Sequence, residues 1–399
     1  MIFCFTSLVM LKKSVIVIGA GAWGGWSAYC LQKAGCQVTL VDKSSPGNAF
    51  SGSGGKTRVI RMAYGGNEIY TEMVDRSFQL WDDFCELTGE QVIHPKEALW
   101  MFNGISSTYA ELSQPLMQKR GFALDEISLA DLAQRYPLIN LEGITSAYIE
   151  PKAAYLEASR SCSLVKTEFE KLGGRFVQAE IAKIEGDGKI DALITADRER
   201  LKADHYVFAC GPWMKNLFPS LALYINVTRQ EVYYFDAPAN HLGDHLPIWL
   251  EFRAGDEMYY GIPDHLQQGF KLAYDQRDWA LDPDRDDRDL TATIFEQMNS
   301  VLAQRFPALK GAGLHHHHTC VYENSLDGEF IMDNAPSFSN GIILCGSSGH
   351  GFKVGPAVGE MVADLITQTK PFPSFFALDR LKGLTRVKSQ FEVGLGQIN

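Results

Sequence analysis

No two of the eight cysteines in this 399-residue chain form a C-x-x-C pair, and their positions (4, 30, 36, 85, 162, 210, 320, 345) follow no framework spacing. The scatter argues against a disulfide-stapled fold and leads to an expectation of reduced thiols in a cytoplasmic setting. Basic excess is missing as well. Lys and Arg number 37 against 48 Asp and Glu, a net charge of −11, so no patch stands ready to neutralise phosphates and no nucleic-acid partner is expected. Long apolar runs are also absent. Met1 to Leu11 is apolar, but it is too short to span a bilayer. Its charges, Lys12 and Lys13, follow the run instead of preceding it, the reverse of a secretory signal. Residues 1–13 therefore read as an N-terminal extension, with Met10 an alternative start, and no membrane partner is expected. Internal repeats and low-complexity segments are lacking too. What remains is an ordinary globular composition, 46% hydrophobic with a mean hydropathy of −0.11, in a chain long enough for two domains.

The most informative stretch is Val15-Ile16-Val17-Ile18-Gly19-Ala20-Gly21-Ala22-Trp23-Gly24-Gly25. Four consecutive β-branched residues predict a strand buried on both faces. The strand breaks into Gly19-x-Gly21-x-x-Gly24. The spacing then predicts a helix from Trp26 to Ala34, stopped by Gly35, and a second strand, Val38 to Val41, ending on Asp42. Strand, glycine turn, helix, strand and acid together make a dinucleotide-binding fingerprint. Gly19 would make the tight turn, Gly21 would admit a pyrophosphate, and Gly24 would let helix and strand pack closely. The helix N-terminus offers unpaired N–H groups to the pyrophosphate. Asp42 is spaced to accept the ribose hydroxyls of an adenosine.

Beyond Asp42 lies a glycine-rich loop, Ser44 to Lys56, and then Thr57-Arg58-Val59-Ile60-Arg61, two arginines suited to an anion or to the surface. Tyr70, Val74, Phe78, Trp81 and Cys85 predict one buried helix face. Residues 90–150 mix strand-like and helical runs without nucleotide-binding glycines, and so begin a second domain. Residues 203–211 predict a strand that returns to the nucleotide sheet. Strand-like runs at 232–235, 248–250 and 258–261 belong to the second domain. The acidic stretch Asp282 to Asp289 reads as a solvated loop whose charges suit the start of the next helix. That helix would bury Leu290, Ile294, Met298 and Val301. Four histidines, His315 to His318, would alternate between the faces of a strand with half-exposed rings. No metal set is expected there.

Gly19-Ala20-Gly21-x-x-Gly24, Thr57-Arg58-Val59-Ile60-Arg61-x-Ala63-Tyr64-Gly65, Tyr259-Tyr260-Gly261-x-Pro263, Lys271-Leu272-x-Tyr274, Cys320-x-Tyr322 and Gly349-His350-Gly351-Phe352-Lys353 form a series. It resembles the monomeric sarcosine oxidase and N-methyltryptophan oxidase group of the D-amino-acid-oxidase-like flavoproteins, from about Ser14 to about Phe375. The resemblance implies an α/β protein: a Rossmann-like FAD-binding domain with a second, mixed and mostly antiparallel substrate domain. The FAD domain would be discontinuous (14–89, 150–219 and 320–399), and the substrate domain would comprise 90–149 and 220–319. FAD would be held by Gly19, Gly21, Gly24, Asp42, Arg58, Gly349 and Gly351, with covalent attachment through Cys320. Arg61 and Lys353 would hold a substrate carboxylate, Tyr260 and Tyr322 would line the cavity, and Lys271 would assist reaction with O2. The helix after Lys353 would aim its N-terminus at the flavin pyrimidine.

Three positions depart from the pattern. Gly54 and Lys56 stand where the family tends to carry histidine and an acid, and Asp275 stands where the sarcosine oxidases have histidine. A carboxylate there could hold a cationic amine or accept its proton, which makes Asp275 a catalytic candidate beside Lys271 and Arg58. The expected activity is FAD-dependent oxidation of an amino acid or secondary amine to an imine, with O2 reduced to hydrogen peroxide, by a cytoplasmic monomer. The alternatives are a dehydrogenase with another electron acceptor, an enzyme of modified tRNA, which the acidic charge disfavours, and a non-catalytic flavin-binding scaffold.

Overall fold

The computed structural model describes residues 12–237, 245–264, 266–275, 277–368, 370–385, 387–388 and 391. The run expected to be a dispensable extension lies outside the described residues up to Leu11. Val15 to Ile18 belong to strand β1 (Ser14–Ile18), and none of the four is more than 6% exposed. β1 lies inside a six-stranded sheet in the order Ile331–Asn334, Gly341–Cys345, His205–Phe208, β1, β2 (Gln37–Asp42), Arg175–Gln178. All neighbours are parallel except the first pair. Burial on both faces is what lets an unbroken apolar run serve as a strand here.

Helix α1 (Ala22–Lys33) begins four positions before the expected Trp26. Two glycines at its start argue for a later beginning on propensity alone. Close packing overrides that preference, because a Cβ on Gly24 would overlap the Gly19 carbonyl oxygen. The helix Gly355–Gln368 crosses α1 equally closely. A Cβ on Gly359 would lie 2.6 Å from the Trp26 carbonyl oxygen, and one on Gly355 would lie 2.9 Å from the Trp26 ring. The long helix α2 (Glu68–Thr88) buries Tyr70, Val74, Phe78 and Trp81 as its periodicity predicts.

A second sheet of eight strands is mixed and mostly antiparallel, as expected. Its order is Leu314–Ser325, Ile225–Phe235, Phe270–Tyr274, Met258–Ile262, Ile248–Phe252, Ala98–Asn103, Ile144–Glu150, Asp125–Glu126. One pair, Ile248–Phe252 with Ala98–Asn103, is parallel. The helix Ala292–Arg305 buries Ile294, Met298, Val301 and Leu302 in a cluster with Tyr233, Phe235, Phe270 and Leu272. Leu314–Ser325 pairs along its length with Ile225–Phe235, so residues 320–325 stand in this sheet, and the chain crosses to the first sheet after them. A small sheet joins Thr57–Ile60 to Ala154–Glu157.

The acidic stretch does more than meet solvent. Asp284 accepts hydrogen bonds from Trp213 Nε1 at 2.6 Å and Asn216 Nδ2 at 3.3 Å, and pairs with Lys43 at 3.1 Å, tying this loop to the end of β2. The helix that follows carries no acid in its first turn. Its start is held instead by Glu231, which accepts from Thr291 N at 3.1 Å and from Thr291 Oγ1 at 2.5 Å. Among the described residues no helix is long and apolar enough to cross a membrane.

Candidate active site

A cleft opens at the carboxyl ends of the parallel strands, lined by Gly19, Gly21, Asp42, Cys210, Ser347 and Gly351. Ligands of open α/β sheets bind at this end. Gly19 has φ +100°, and a Cβ there would strike the Ala209 carbonyl. A Cβ on Gly21 would lie 2.9 Å from Ser53 Oγ, which accepts from Ala22 N at 2.9 Å. Asp42 reaches back to the glycine turn. Its Oδ2 accepts from Ala20 N at 2.6 Å, and its Oδ1 from Ser44 N at 2.8 Å.

The Thr57–Ile60 strand carries Arg58 toward the strand Leu314–Ser325. Arg58 Nη2 donates to Gly54 O at 2.7 Å and Gly52 O at 3.1 Å, and lies 3.1 Å from Cys320 Sγ. Lys271, on Phe270–Tyr274, is 2% exposed and donates to Thr57 O at 2.9 Å. Burial, and next the charge of Arg58, push its amine down to about 7. Thus Arg58, Lys271 and Cys320 meet at one place.

His318 joins them. The histidines do alternate: His315 Nδ1 lies 3.1 Å from Asp236 and His317 Nε2 lies 3.7 Å from Glu231 on one face. His318 shares the other face with Cys320. A Cβ on Gly55 would lie 3.0 Å from the His318 ring, so this imidazole fills space beside the loop before Arg58. Burial, followed by Arg58, pushes it down to about 3, and its Nε2 has no hydrogen-bond partner. His315 and His316 are exposed and His317 and His318 are half-buried, so the half-exposed reading holds for the last two. The i, i+2 spacing of His318 from Cys320 was the available signal.

Arg61 and Lys353 are 3% and 5% exposed, and both stand over the Tyr64 ring, 4.6 and 5.1 Å from its centroid. Lys353 donates to His350 O at 3.0 Å, and Arg61 donates to Ala63 O. Trp100 and Phe391 flank the guanidinium at 5.1 and 5.2 Å. Burial, and secondarily Arg61, hold the Lys353 amine well below its usual range. An acid that sequence reasoning missed lies beside them. Glu150, 1% exposed, accepts from Met62 N and from Trp100 Nε1 at 3.2 Å. Burial pushes its carboxyl up to about 7, while hydrogen bonds and Arg61 pull the other way. Nothing in its local sequence distinguishes Glu150 from a strand-end surface acid.

Tyr260 and Tyr322 hydrogen-bond to each other. Gly349, at φ +78°, lies against Tyr322, whose ring a Cβ there would overlap. Gly351 likewise leaves room for Trp23, whose Nε1 donates to the Gly351 carbonyl at 2.9 Å. Asp275, 8% exposed, is paired with Arg277 at 3.3 Å. Arg277 also donates to Asn324 Oδ1 at 2.7 Å and to Ser348 O at 3.0 Å, and sits 5.8 Å from the Tyr322 ring. It is a second charged neighbour that sequence reasoning overlooked.

A dinucleotide cleft beside buried cations, with Lys271 carried by the eight-stranded sheet, is the plan of a flavin oxidoreductase. The chain belongs to the FAD dependent oxidoreductase family, whose profile matches residues 14–365. It is 27% identical over 374 residues to the monomeric sarcosine oxidase of Bacillus sp. (strain B-0618), covering 92% of this chain and 95% of that one. It is also 27% identical over 380 residues to the N-methyl-L-tryptophan oxidase of Yersinia pestis (strain Pestoides F), covering 93% and 100%. In fold it is similar to L-proline dehydrogenase from P. horikoshii, with TM-score 0.79, 20% identity, and 92% and 96% of the two chains covered. It is similar too to the open form of NikD, an unusual amino acid oxidase, with TM-score 0.77, 18% identity, and 92% and 98% covered. The protein is an FAD-dependent oxidoreductase. The cleft fits the cofactor, because the glycines that a side chain would close are those that border it.

Proposed function

We propose that this protein oxidises an amino acid with a secondary nitrogen, N-alkyl or cyclic, at its C–N bond to an imine, and passes the electrons to O2 as hydrogen peroxide. The observation that carries this reading is the meeting of Arg61 and Lys353 over one tyrosine ring, although they are distant in sequence. Two buried cations sharing one small space call for an anion between or beside them, and a forked guanidinium with a point-charge ammonium suits a carboxylate. Both relatives are oxidases by name, one of them of an N-methylated amino acid.

When bound, FAD would supply the redox chemistry, as acceptor of the hydride equivalent of the substrate C–H bond. The protein's own residues position and compensate. Arg61 and Lys353 orient the carboxylate, and Glu150 balances Arg61 while the site is empty. Tyr260 and Tyr322 wall the cavity. Asp275, with Arg277 beside it, is the acid available to hold or relieve the substrate amine. Lys271 stabilises negative charge developing on oxygen. Gly19, Gly21, Gly24, Asp42, Gly349 and Gly351 hold FAD, Arg58 sits near its ring, and Cys320 carries it covalently. Arg58 Nη2, 3.1 Å from Cys320 Sγ, puts a cation beside the sulfur that would carry the attachment. We place the enzyme in the cytoplasm as a monomer, divided into the FAD and substrate domains set out from the sequence, except that residues 320–325 pair within the substrate sheet.

An anaerobic screen of N-methyl, cyclic and primary amino acids for flavin bleaching tests the substrate class. Bleaching by secondary amino acids and not by their decarboxylated amines is expected, and bleaching by neither overturns the reading. Peroxide yield with and without an artificial acceptor separates an oxidase from a dehydrogenase. Acid precipitation tests attachment: yellow colour should stay with the native chain and leave with Cys320→Ala.

A further inference from the structure

Glu323 is a carboxyl group that the reaction above does not use. It stands on the strand Leu314–Ser325, is 4% exposed, and lines the dinucleotide cleft. Its Oε1 accepts from Ser347 N at 3.4 Å, at the carboxyl end of Gly341–Cys345, while its Oε2 has no hydrogen-bond partner. As a carboxylate it would leave an orphaned buried charge beside a cleft that must also receive a diphosphate. As an acid it presents a hydroxyl donor, and cofactor oxygens are acceptors. Because Oε1 accepts from the Ser347 N–H and Oε2 has no partner, the proton belongs on Oε2.

The surroundings agree. Burial pushes the Glu323 carboxyl up to about 8, and the N–H groups of Ser347 and Gly346 offset this only in part. The groups facing it are the Cys210 thiol after His205–Phe208 and the Cys345 thiol, both driven upward chiefly by burial and so neutral across the same range. Asp42, with Lys43 beside it, also lines the cleft, so a charged Glu323 would add a second carboxylate there.

We propose that Glu323 binds the cofactor as a neutral acid, its Oε2 hydroxyl donating to an oxygen of the phosphate–ribityl linker, so that FAD and one proton bind together. By linkage the coupling is reciprocal. The proton raises affinity for FAD, and FAD raises affinity for the proton. Affinity is flat at low pH and falls once free Glu323 ionises.

The test uses the full chain with Cys320→Ser, so that FAD exchanges freely whether or not the native protein attaches it. FAD affinity is measured by flavin fluorescence from pH 6.5 to 9.5, with and without Glu323→Gln. The Glu323 protein should hold a constant affinity to about pH 8 and then lose about tenfold per pH unit. The glutamine protein should stay flat, within about threefold of its partner's value at pH 7. Parallel curves, or a flat curve for Glu323, overturn the proposal. A second measurement needs no change at Glu323: calorimetry of FAD binding at pH 8.5 in buffers of different ionisation heat. Uptake approaching one proton per FAD supports the proposal, and none overturns it. Binding without proton uptake defeats this inference alone, whereas no FAD binding at any pH defeats the cofactor assignment as well.

Discussion

The two ends of the functional region are built on opposite principles. The dinucleotide end is made of missing side chains: Gly19, Gly21 and Gly24 matter because a Cβ on each would strike a neighbour. The proposed substrate end is made of crowded side chains, with Glu150, Tyr64, Trp100 and Phe391 packed around the two buried side chains Arg61 and Lys353. Recognition by backbone is local in sequence, since one turn and one helix supply it. Recognition by charge is assembled by topology from strands and turns scattered over the chain. The first kind tolerates almost no added volume. The second tolerates almost no unbalanced charge.

The harshest way to break the comparison is at Gly24. Its Cβ would overlap the Gly19 carbonyl inside the crossing of α1 and β1, where nothing can give way except the turn itself. Gly24→Val should abolish FAD retention and cost several kcal/mol of stability, on the order of 3–5, read by absorbance at the flavin band and by thermal unfolding. At the other end, Arg61→Ala leaves Glu150 without its counter-charge and removes half the anion clamp. Apparent kcat/KM for a carboxylate substrate should fall about 10²–10³-fold. Arg61→Ala with Glu150→Gln should recover stability without recovering activity. Recovery of both would show that Arg61 acts through Glu150 and not on the substrate.

How much of this was readable in the chain follows the same division. The nucleotide turn, Asp42 and the buried face of α2 were legible, because strand and helix periods and glycine spacing are short-range patterns. The start of α1 was misread by four residues, since a propensity argument cannot see that Gly24 and Gly25 are helical for the sake of their neighbours. The expected site residues Arg58, Lys271 and Cys320 do meet, and Arg61 and Lys353 share a ring. Yet Glu150, Arg277 and Glu323 went unnoticed, and His318 was read only as one of four alternating rings. Each is one charged or polar residue in an unremarkable strand or loop, and its importance arises only from what a distant segment brings to it. Asp284 shows the same limit from the surface side. An acidic run looks solvated until Trp213 and Lys43 arrive from elsewhere.

Lys271 sharpens the contrast within the charged end, because under the proposed function it serves the oxygen step and not the substrate carboxylate. Lys271→Met should slow reoxidation of reduced flavin by O2 about 10²–10³-fold, while anaerobic reduction by substrate changes by about threefold or less. Stopped-flow absorbance separates the two halves. The oxygen step in the native enzyme should weaken as pH rises through about 7, where the buried amine loses its proton. A rate of reoxidation independent of both the substitution and pH would remove Lys271 from the oxygen step.

The smallest effect concerns a buried acid outside the site. Glu329, 5% exposed, accepts from Asn67 Nδ2 at 3.2 Å, and burial pushes its carboxyl up to about 7. A carboxyl whose folded pKa exceeds its unfolded value binds its proton more tightly in the folded state. Its contribution is therefore complete below the unfolded value near 4.5 and is lost as pH rises through about 7. The slope is at most about 1.4 kcal/mol per pH unit for one group. Glu150 and Glu323 act in the same direction, while the depressed Lys271 and Lys353 oppose them at higher pH. Glu329→Gln isolates one member of this set without touching the cleft or the cations. Denaturant unfolding of native and variant between pH 5 and 8 should give two curves that converge as pH rises, the native losing stability faster. Curves that diverge with rising pH would mean that Glu329 is ionised in the folded protein, held by Arg380 and its hydrogen bonds more strongly than burial opposes it.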